Sequence, residues 1–548
     1  MYKRIISLFL TVLILAGISV ISTSAATNYT LWVGGVQVTS NNASDVLGDG
    51  TVRYVAKESC LYLNNANIKG VTLIEDVMSA GIYAGGMDLT VRFSGDNKVT
   101  DAGGNDWSIG VGVDEGNLTF IQEGDSSTLE IYSGYAKTYT TGVYVTCNYN
   151  DVTLGGDFLV ESGDIRIGYI GKKLSEGTGV GIYCSSIVMK KGNVEAVGAP
   201  SESGDSLGAE VYGLVSVREG NFVAKGSEGV SSIGLFSDIV YYIDEDMGDY
   251  VSEGGGYIYV YENASVTALA SEAKTHSIGM SLTLGMSCWG NITATGADTT
   301  ATPGPDVNTT SYGIVVWDVS GLNLEDGKIT AQAGYAYDSC GMNLIADTED
   351  VPVNRLTIKN TDVTAVSKGG YMYSDGLYAG IDTISIYSGS LTASGGPVTA
   401  GSEYYPESGG IFVEGIIYVV GGVLKASSTE VTQENGSDIA FYASGGIDIE
   451  DYMELKGGEL VEGDEGSYIM QKSFDTPVVI IKKGYVEIGD VNADGDINIK
   501  DATAIQKHIA KIELLDEQAY ELADFNCDEY VSIKDATAIQ KHIAGLPY

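Results

Sequence analysis

Apolar and polar residues alternate in short runs through most of this chain. Examples are LTVRF at 89–93, LTFIQ at 118–122, ISIYSG at 384–389 and IYVVGG at 417–422. A period of two predicts half-buried β-strands, and the clusters of Gly, Asn and Asp between the runs predict turns. No amphipathic helical stretch of useful length interrupts residues 27–480. The pattern therefore predicts an all-β region over most of the chain.

Two short phrases recur within this region. The first is a Gly followed by an apolar residue, and it starts at Gly81, Gly142, Gly181, Gly213, Gly234, Gly279, Gly313, Gly341, Gly376 and Gly410. The second is roughly G-x-V/I-x-A, and it starts at Gly192, Gly220, Gly290, Gly327, Gly389 and Gly422, with degenerate copies at Ala264 and Thr361. The second phrase returns about every 33 residues, and such a period indicates a stacked repeat protein.

Two or three short strands per repeat are typical of a β-solenoid, in which each turn buries its inward side chains against its neighbours. A Gly at the same place in every turn then marks a point where a Cβ would clash. We expect an all-β right-handed parallel β-helix, with a tandem of antiparallel sandwiches as the competing architecture. Residues 79–480 form the repeat domain of this prediction, and residues 27–78, which fit the period poorly, form its cap and first coils.

The N-terminus has the pattern of a signal peptide. Lys3 and Arg4 precede an apolar run at 5–21, and the small residues at 24–26 offer a cleavage site. The run is short for a spanning helix, and no second apolar segment of membrane length follows. We therefore predict a signal peptide at 1–26, a secreted mature chain and no membrane span.

The charge balance limits the partners of the protein. The chain has 73 Asp and Glu against 30 Lys and Arg, a net charge of −43. This excess disfavours binding to nucleic acid and favours divalent cations. The six cysteines are sparse and lack CxxC spacing, so we expect buried thiols, although the sequence leaves their disulfide state open. They are Cys60, Cys147, Cys184, Cys288, Cys340 and Cys527.

The chain ends in a duplication, after a short predicted linker at 481–488. The twelve residues IKDATAIQKHIA occur at 499–510 and again at 533–544, 34 positions apart. Apolar residues at helical spacing predict that the two helices share one core. These residues are Ala502, Ile505 and Ile509 in the first copy and Ala536, Ile539 and Ile543 in the second. His508 and His542 occupy equivalent places, and nothing beside them suggests a catalytic or zinc role.

Each helix follows a loop with the residue spacing of a calcium site. Alternate oxygen-bearing residues turn towards one ion, position 7 offers its backbone carbonyl, and the carboxylate at position 12 closes the shell. The predicted ligands of the first loop are Asp490, Asn492, Asp494, Asp496, Asn498 and Asp501. Those of the second loop are Asp524, Asn526, Asp528, Tyr530, Ser532 and Asp535. We therefore predict two Ca²⁺ ions.

Position 6 differs between the two loops. It is Gly495 in the first loop and Glu529 in the second. A non-Gly residue held at positive φ costs about 1 kcal/mol or more. We therefore expect the second loop to bind Ca²⁺ more weakly.

These paired loop–helix repeats resemble the type I dockerin of cellulosomal proteins, and the match covers 489–548. They differ from an EF-hand because position 12 is Asp in both loops. The middle of the chain resembles, more loosely, secreted clostridial or ruminococcal parallel β-helix repeat proteins. The dockerin resemblance implies a Ca²⁺-dependent partner, the cohesin module of a scaffoldin, and a place in an extracellular or cell-surface complex.

The resemblance also implies which residues read the cohesin, namely those at loop positions 10 and 11 and in the following helix. Here they are Ile499, Lys500, Gln506 and Lys507, mirrored by Ile533, Lys534, Gln540 and Lys541. Because the two copies agree at all four places, the module should dock in two orientations related by a half turn.

The sequence leaves three functions open for the solenoid. Dockerins and β-helices both accompany plant cell-wall polysaccharide, which the solenoid could bind through Tyr clusters such as those at Tyr241, Tyr257 and Tyr404. It could instead be a polysaccharide lyase or glycoside hydrolase acting on pectin-like polymers, or a structural or protein-binding subunit. Arg is scarce and no adjacent pair of Asp residues occurs, so the sequence identifies no catalytic residue. The balance favours binding, and a groove lined by Lys, Arg and carboxylates together would favour a lyase.

Overall fold

The computed structural model describes most of the chain. The described residues are 26–70, 72–74, 77–104, 106–146, 156–243, 250–304, 307–319, 321–346, 354–400, 405–433, 435–450, 453–463, 466–474, 476–482, 488–492, 497–526, 530–544 and 546. The predicted signal peptide therefore lies outside them, apart from residue 26. None of the helices within these ranges has the length and apolarity that crossing a membrane requires.

Short strands make up nearly all of the region before the tail. In chain order they are β1 (Asn28–Val33), β2 (Val36–Thr39), β3 (Val52–Val55), β4 (Cys60–Asn64), β5 (Asn67–Gly70), β6 (Thr72–Ile74), β7 (Met78–Gly85), β8 (Leu89–Ser94), β9 (Asp96–Asp101), β10 (Trp107–Asp114), β11 (Leu118–Gln122), β12 (Thr128–Ser133), β13 (Tyr139–Val145), β14 (Phe158–Ser162), β15 (Asp164–Tyr169), β16 (Thr178–Cys184), β17 (Ile187–Met189), β18 (Asn193–Val197), β19 (Ser206–Val211), β20 (Leu214–Lys225), β21 (Gly229–Ser237), β22 (Ile239–Ile243), β23 (Tyr250–Gly255), β24 (Tyr257–Leu269), β25 (Ala273–Leu282), β26 (Gly285–Cys288), β27 (Asn291–Thr295), β28 (Thr310–Val316), β29 (Gly321–Glu325), β30 (Lys328–Ile345), β31 (Arg355–Lys359), β32 (Thr361–Gly380), β33 (Thr383–Ile386), β34 (Gly389–Ser394), β35 (Glu407–Val413), β36 (Ile416–Val419), β37 (Val423–Ser427), β38 (Phe441–Ala443), β39 (Gly446–Ile449), β40 (Met453–Lys456), β41 (Gly458–Gly463), β42 (Gly466–Gln471) and β43 (Val478–Lys482).

The strands form a solenoid of about 11 turns. Successive turns pair in parallel along three faces, which we call sheets 1, 2 and 3. Sheet 1 contains β7, β10, β13, β16, β19, β21, β25, β28, the ends of β30 and β32, β35 and β38. Sheet 2 contains β4, β8, β11, β14, β17, the starts of β20 and β24, β26, β29, β31, β33, β36 and β39. Sheet 3 contains β5, β9, β12, β15, β18, the ends of β20 and β24, β27, the starts of β30 and β32, β34 and β37.

This topology confirms the predicted parallel β-solenoid and contradicts the tandem of antiparallel sandwiches. Antiparallel pairing between successive elements is concentrated at the two ends. At the start, β1 pairs with β2 and β7, and β3 pairs with β4. At the other end, β42 and β43 run antiparallel to β38 and β37. The antiparallel strands thus pair with the edge strands at both ends of the coil. Edge strands that are already paired are less able to pair with another chain. One separate hairpin, β22–β23, interrupts the coil.

Sheet 1 carries a continuous row of glycines, which explains the first repeated phrase. A Cβ on Gly313 would lie 2.5 Å from the carbonyl oxygen of Gly341, and every other member of the row faces an equivalent carbonyl one turn away. The row consists of Gly81, Gly110, Gly142, Gly181, Gly208, Gly234, Gly279, Gly313, Gly341, Gly376 and Gly410. The sequence analysis missed Gly110 and Gly208, although Val111 and Ala209 give each of them the apolar residue that the phrase requires. It also wrongly included Gly213, which lies in the turn between β19 and β20.

The second phrase marks the start of sheet 3 in each turn. Asn193 pairs with Asn221, and the register continues through Ser265, Asn291 and Lys328. The degenerate copy at Thr361 also falls in register, because Thr361 pairs with Gly389. The repeat read from the sequence therefore gave the correct alignment of turns on this face.

The inward side chains fill one long apolar core. Phe93, Phe120, Phe158, Phe222 and Phe441 are among its largest fully buried members. Removal of apolar surface from water is the main stabilising contribution in such a core, at about 25 cal/mol for each Å² buried. Four described cysteines are buried free thiols, as predicted: Cys60, Cys184, Cys288 and Cys340. Cys147 and Cys527 lie outside the described residues.

The tail is helical and has its own core. Its helices are α1 (Ile499–Ile509), α2 (Glu517–Leu522) and α3 (Ile533–Ile543). Ala502, Ile505, Ala536 and Ile539 are buried together, as predicted for α1 and α3. The prediction was wrong for Ile509 and Ile543, which are 40% and 47% exposed. Val491 and Ala523 complete the core instead, because the chain entering each loop also packs on the helices. The sequence pattern did not predict the short helix α2.

Candidate functional sites

The first tail loop closes onto the start of α1 through one carboxylate. Asp501 is fully buried, and its Oδ1 and Oδ2 accept hydrogen bonds from the amides of Asn492 (3.1 Å) and Asn498 (2.8 Å). The Asn498 side chain in turn accepts a hydrogen bond from the Lys500 amide at 2.9 Å. This is a capping box, which satisfies amides at the start of the helix. Position 12 of the loop is therefore also the third residue of the helix.

The second loop repeats this geometry. Asp535 is fully buried and accepts hydrogen bonds from the amides of Asn526 (3.2 Å) and Ser532 (2.8 Å). Ser532 replaces Asn as the capping residue and accepts from the Lys534 amide at 3.2 Å. The contacts are duplicated because both copies place the same Asp at the third helix position and backbone amides at equivalent loop positions, even where the capping residue changes from Asn498 to Ser532.

The donors present fit a hard cation such as Ca²⁺. They are carboxylate, amide and hydroxyl oxygens, the ligand types that Ca²⁺ takes. A carboxylate has about four lone-pair positions, so Asp501 and Asp535 retain acceptor capacity beyond their amide bonds. Asp494, Asp496 and Asp528 lie outside the described residues. Within the described residues alone, no group of three or more His, Cys, Asp or Glu side chains is arranged to hold a metal ion.

The residues predicted to read a partner lie on the surface of the tail. All eight are exposed, and Ile499 and Ile533 are 56% and 57% exposed. The set is Ile499, Lys500, Gln506, Lys507, Ile533, Lys534, Gln540 and Lys541. Lys507 forms an ion pair with Glu513 at 3.0 Å, and both side chains are exposed, so little free energy opposes its release. Exposed isoleucines beside lysines provide a mixed apolar and cationic surface in each copy.

The two tail histidines make structural contacts. His508 accepts a hydrogen bond from the Leu515 amide at 3.0 Å through Nδ1, and its ring meets Tyr520 edge to face. His542 meets Phe525 in the same way. Both rings therefore support the segment between the helices, and neither lies among groups suited to zinc or acid–base chemistry.

Comparison with protein families decides what this tail is. Residues 488–544 match the family model described as Dockerin type I domain. The tail is a type I dockerin. The match covers a small part of the chain and leaves out the solenoid. No curated protein and no solved structure matches the chain.

A dockerin connects the chain to a scaffold. Its partner is a cohesin module, and the protein is accordingly associated with a cellulosome. Type I dockerins bind calcium, which agrees with the oxygen-rich loops described above. The dockerin therefore implies a cohesin partner for the chain, but it does not show what the solenoid does.

An outward aromatic strip on sheet 2 is the first candidate site on the solenoid. Tyr257, Tyr259 and Tyr261 alternate along β24 with buried Ile258 and Val260. On the next turn Trp289 lies beside Tyr261, with ring centroids 5.6 Å apart and planes at 29°. We call Tyr257, Tyr259, Tyr261 and Trp289 the aromatic strip.

Tyr261 is the exposed ring of the strip, at 37%, and Tyr257, Tyr259 and Trp289 are half-buried. Tyr257 pairs with Gly285, and Tyr259 lies between Ser216 and Ser287. The hydroxyl groups of Tyr257 and Ser287 are 2.9 Å apart, which fixes the orientation of the first ring. The Tyr257 and Tyr259 rings are tilted by 42°, so Tyr261 and the adjacent Trp289 are the rings best placed to contact a sugar.

Polar groups border the exposed end of the strip. The guanidinium of Arg218 lies 5.8 Å from the Tyr261 ring centroid. Arg218, Glu262 and Asn263 line an open depression of about 370 Å³ together with Tyr261 and Trp289. Such groups can form hydrogen bonds with sugar hydroxyls while the rings supply apolar contact. Sequence reasoning singled out Tyr257 but missed Arg218 and Trp289, which join it only through the register of the turns.

The other predicted tyrosine clusters contribute less. The side chain of Tyr241 and all of Tyr404 lie outside the described residues, whereas neighbouring Tyr405 is 73% exposed. Aromatic residues also form a row on sheet 1, but their faces contact one another. Tyr378 and Phe412 stack at 5.2 Å and 6°, and Phe412 and Tyr442 at 4.6 Å and 22°. Stacked rings stabilise the contact between turns. The Tyr261–Trp289 pair of the strip is stacked too, and the strip differs from this row in the polar groups beside it, Arg218, Glu262 and Asn263.

Sheet 3 carries the mixed groove that the sequence named as a sign of a lyase. It has a volume of about 610 Å³ and includes Glu130, Asp164, Arg166, Glu195 and Lys225. Its charges alternate from turn to turn, since Glu130 pairs with Arg166 and Arg166 with Glu195. Lys225 contacts Glu195 at 2.6 Å. Opposite charges across neighbouring strands stabilise the sheet, which accounts for the groove without a bound substrate.

Proposed function

We propose that this protein is a secreted cellulosome component that docks to a cohesin and presents its solenoid to plant cell-wall polysaccharide, which it binds. The proposed chain has a signal peptide at 1–26, a solenoid at 27–480, a linker at 481–488 and a dockerin at 489–548. Two Ca²⁺ ions hold the dockerin loops, with the ligands and cohesin-reading residues named above. The aromatic strip carries the proposal for polysaccharide.

Charge argues for an uncharged polymer. The net charge of −43 repels polyuronates, and the cations near the strip are few. The aromatic rings provide dispersion and CH contacts that need no charge on the sugar. A neutral glucan, xylan or mannan is therefore the substrate class that the strip suits best.

The groove on sheet 3 does not favour a pectin-type lyase over binding. A lyase needs a base close to Ca²⁺-held uronate carboxylates. In this groove Lys225 is engaged with Glu195, and the carboxylates alternate with cations instead of converging on one point. Opposite charges in register serve the stacking of turns, so we assign the groove a structural role.

Retention of the full-length protein on insoluble polymers tests the proposal. The double variant Tyr261→Ala with Trp289→Ala should bind neutral polymer about 30-fold more weakly, since two aromatic contacts of about 1 kcal/mol each contribute about 2 kcal/mol. Tyr387→Ala is the matched control, because Tyr387 lies on the same sheet, is 48% exposed and packs near Lys359 instead of another ring. Unchanged retention of the double variant, or equal loss in the control, would contradict a role for the strip.

A further inference from the structure

The corner between sheets 2 and 3 is irregular beside the aromatic strip. In most turns three residues connect the aligned strand positions of the two sheets, as at 218–220 and 325–327. The corner within β24 has four residues, 261–264, and the corner of the next turn has only two, 289–290. A long corner therefore lies directly beside a short one.

The short corner packs closely against the long one. The amides of Trp289 and Gly290 both donate hydrogen bonds to the carbonyl oxygen of Val260, at 2.7 and 3.2 Å. A Cβ on Gly290 would lie 2.3 Å from the carbonyl oxygen of Tyr261, so only glycine permits this approach. The mismatch between the two corners leaves an open depression of about 370 Å³ on the surface.

The long corner exposes three consecutive side chains. Tyr261, Glu262 and Asn263 are all exposed, whereas successive side chains of a regular strand alternate between its two faces. The register between β20 and β24 shifts at this place, opposite Arg218, and such a bulge redirects the side chains around it. Arg218, Glu262 and Asn263, which we call the polar trio, therefore line the depression together with Tyr261 and Trp289.

Corner side chains on other turns bind one another, but those of the polar trio do not. Lys191 forms an ion pair with Glu219 at 2.8 Å, and the side-chain amide of Asn360 donates to Asp326 at 3.1 Å. Within the described part of the chain, the polar trio forms no side-chain hydrogen bond or ion pair, apart from the ring contact of its arginine. A ligand can therefore bind these groups without breaking a contact between described residues.

We propose that the depression is a subsite for one sugar unit whose hydroxyl groups are free. A carboxylate only accepts hydrogen bonds, so Glu262 needs a ligand group that donates, and a sugar hydroxyl does so. Arg218 only donates, and Asn263 can donate and accept, so the oxygens of the same sugar satisfy both. Tyr261 and Trp289 supply the apolar contact with the sugar ring. An ester or ether at the hydroxyl facing Glu262 removes the hydrogen that the carboxylate binds.

The size and charge of the depression agree with a single neutral unit. Ligand pockets measure about 300–1,000 Å³, and a depression of about 370 Å³ lies near the lower limit. Arg218 and Glu262 carry opposite charges, so the depression has no net charge with which to prefer an ionic ligand. This inference rests on the proposed function, because it names the form of sugar that the same site binds.

Titration calorimetry with the full-length protein tests the subsite. The ligands are short cello-, xylo- and manno-oligosaccharides with free hydroxyl groups, and the same oligosaccharides after complete O-methylation. The methylated forms keep their ether and ring oxygens as acceptors but donate no hydrogen bond. We expect the protein to bind at least one free oligosaccharide, and to bind its methylated form about tenfold more weakly or worse.

Glu262→Ala should weaken binding of the free oligosaccharide about tenfold, the effect of losing one hydrogen bond to a charged group. It should not weaken binding of the methylated form, whereas a merely structural role of Glu262 would weaken both. Glu325→Ala is the matched control, because Glu325 is an exposed acid at the same corner two turns further along. Its affinity should equal that of the unaltered protein, and thermal unfolding checks that each variant is folded.

Equal affinity for free and methylated oligosaccharides would overturn the subsite, and so would an unchanged affinity in Glu262→Ala. If Tyr261→Ala with Trp289→Ala still lowers polymer retention in that case, the proposed function stands without the subsite. Absence of binding to every polymer and every oligosaccharide would overturn the proposed function and the subsite with it.

Discussion

The dockerin and the solenoid both depend on repetition, but they use it at different ranges. In the dockerin, two copies fold into loop–helix units whose closing contacts, such as Asn492 to Asp501, span nine residues. In the solenoid, each strand pairs with one about a turn away, as Trp107 does with Tyr139. When one dockerin copy is altered, the other copy remains intact. A change in one turn of the solenoid instead affects its pairing with both neighbouring turns.

This difference determines how much of the function of each region the sequence alone reveals. The dockerin has its ligands in one short segment, so their spacing is informative on its own. In the solenoid, Arg218 lies beside Tyr261 only after the turns are stacked. In the same way, Asp338 and Glu407 come to flank Tyr373, one on each side. Its chemistry lies in the register between turns, and each pair is separated by many residues along the chain.

The largest effect should come from the glycine row. Gly313→Val would place a side chain against the Gly341 carbonyl oxygen, 2.5 Å from the new Cβ. We expect the free energy of unfolding of the solenoid to fall by about 3 kcal/mol, measured by calorimetry. Gly304→Ala is the control, because no atom lies within 4 Å of its Cβ position. Cohesin binding should be unchanged in both variants, and its loss in Gly313→Val would show that the two regions are coupled.

Removal of calcium should have the next largest effect, and it should destabilise the dockerin alone. At a Ca²⁺ concentration 100 times its Kd, one bound ion stabilises a fold by about 2.7 kcal/mol. A chelator should therefore lower the unfolding temperature of the dockerin, measured through its helical circular dichroism. The β-sheet transition of the solenoid should not move. A helical signal that resists the chelator would contradict calcium-dependent folding of the dockerin.

Removing the buried charge at Asp375 should stabilise the solenoid. Since the pKa of Asp375 is raised in the folded protein, the unfolded chain loses that proton at lower pH. Stability is then greatest below the unfolded pKa of about 3.9 and falls as pH rises towards the folded pKa. Asp375→Asn should be more stable by about 1 kcal/mol or more at neutral pH, because it removes the free energy needed to keep a carboxyl group protonated above its unfolded pKa, and one pKa unit corresponds to about 1.4 kcal/mol.

The groups facing Asp375 contribute in the same direction. Asp338 and Glu407 flank it, and Cys340 and Tyr373 lie beside it, and all four have raised pKa values. The stability difference between Asp375→Asn and the unaltered protein should therefore widen with pH in thermal unfolding. A difference independent of pH would show that Asp375 is not the titrating group.

The smallest effect should come from one copy of the cohesin surface. Replacing Lys500, Gln506 and Lys507 by Ala removes one of two equivalent docking orientations. Affinity should fall about twofold, or about 0.4 kcal/mol, by titration calorimetry. The mirrored variant at Lys534, Gln540 and Lys541 should behave alike, and alteration of both copies should abolish binding. Unequal losses from the two single-copy variants would contradict the equivalence of the orientations.

Much of the fold followed from local patterns. Alternation predicted the strands because a strand turns successive side chains to opposite faces. The second phrase predicted the register of sheet 3 because Asn193, Asn221 and Asn291 fall at equivalent places in their turns. The first phrase was not recognised at Gly110 and Gly208, which join the row because their Cβ positions face the carbonyl oxygens of Gly142 and Gly234.

The sequence by itself determined the loop–helix repeats, because their capping and closing contacts span a few residues and depend on residue type. It also determined that the chain stacks in turns, because the hydrophobic period leaves each turn unable to bury its own apolar face. Tertiary structure decided which side chains meet on the outside of the solenoid. Trp289 reaches Tyr261, and Asp375 faces Gly409, only because strands from different turns pair in a fixed register. Burial then changes the protonation of Asp375, and burial is a property of the packed turns, not of the residue.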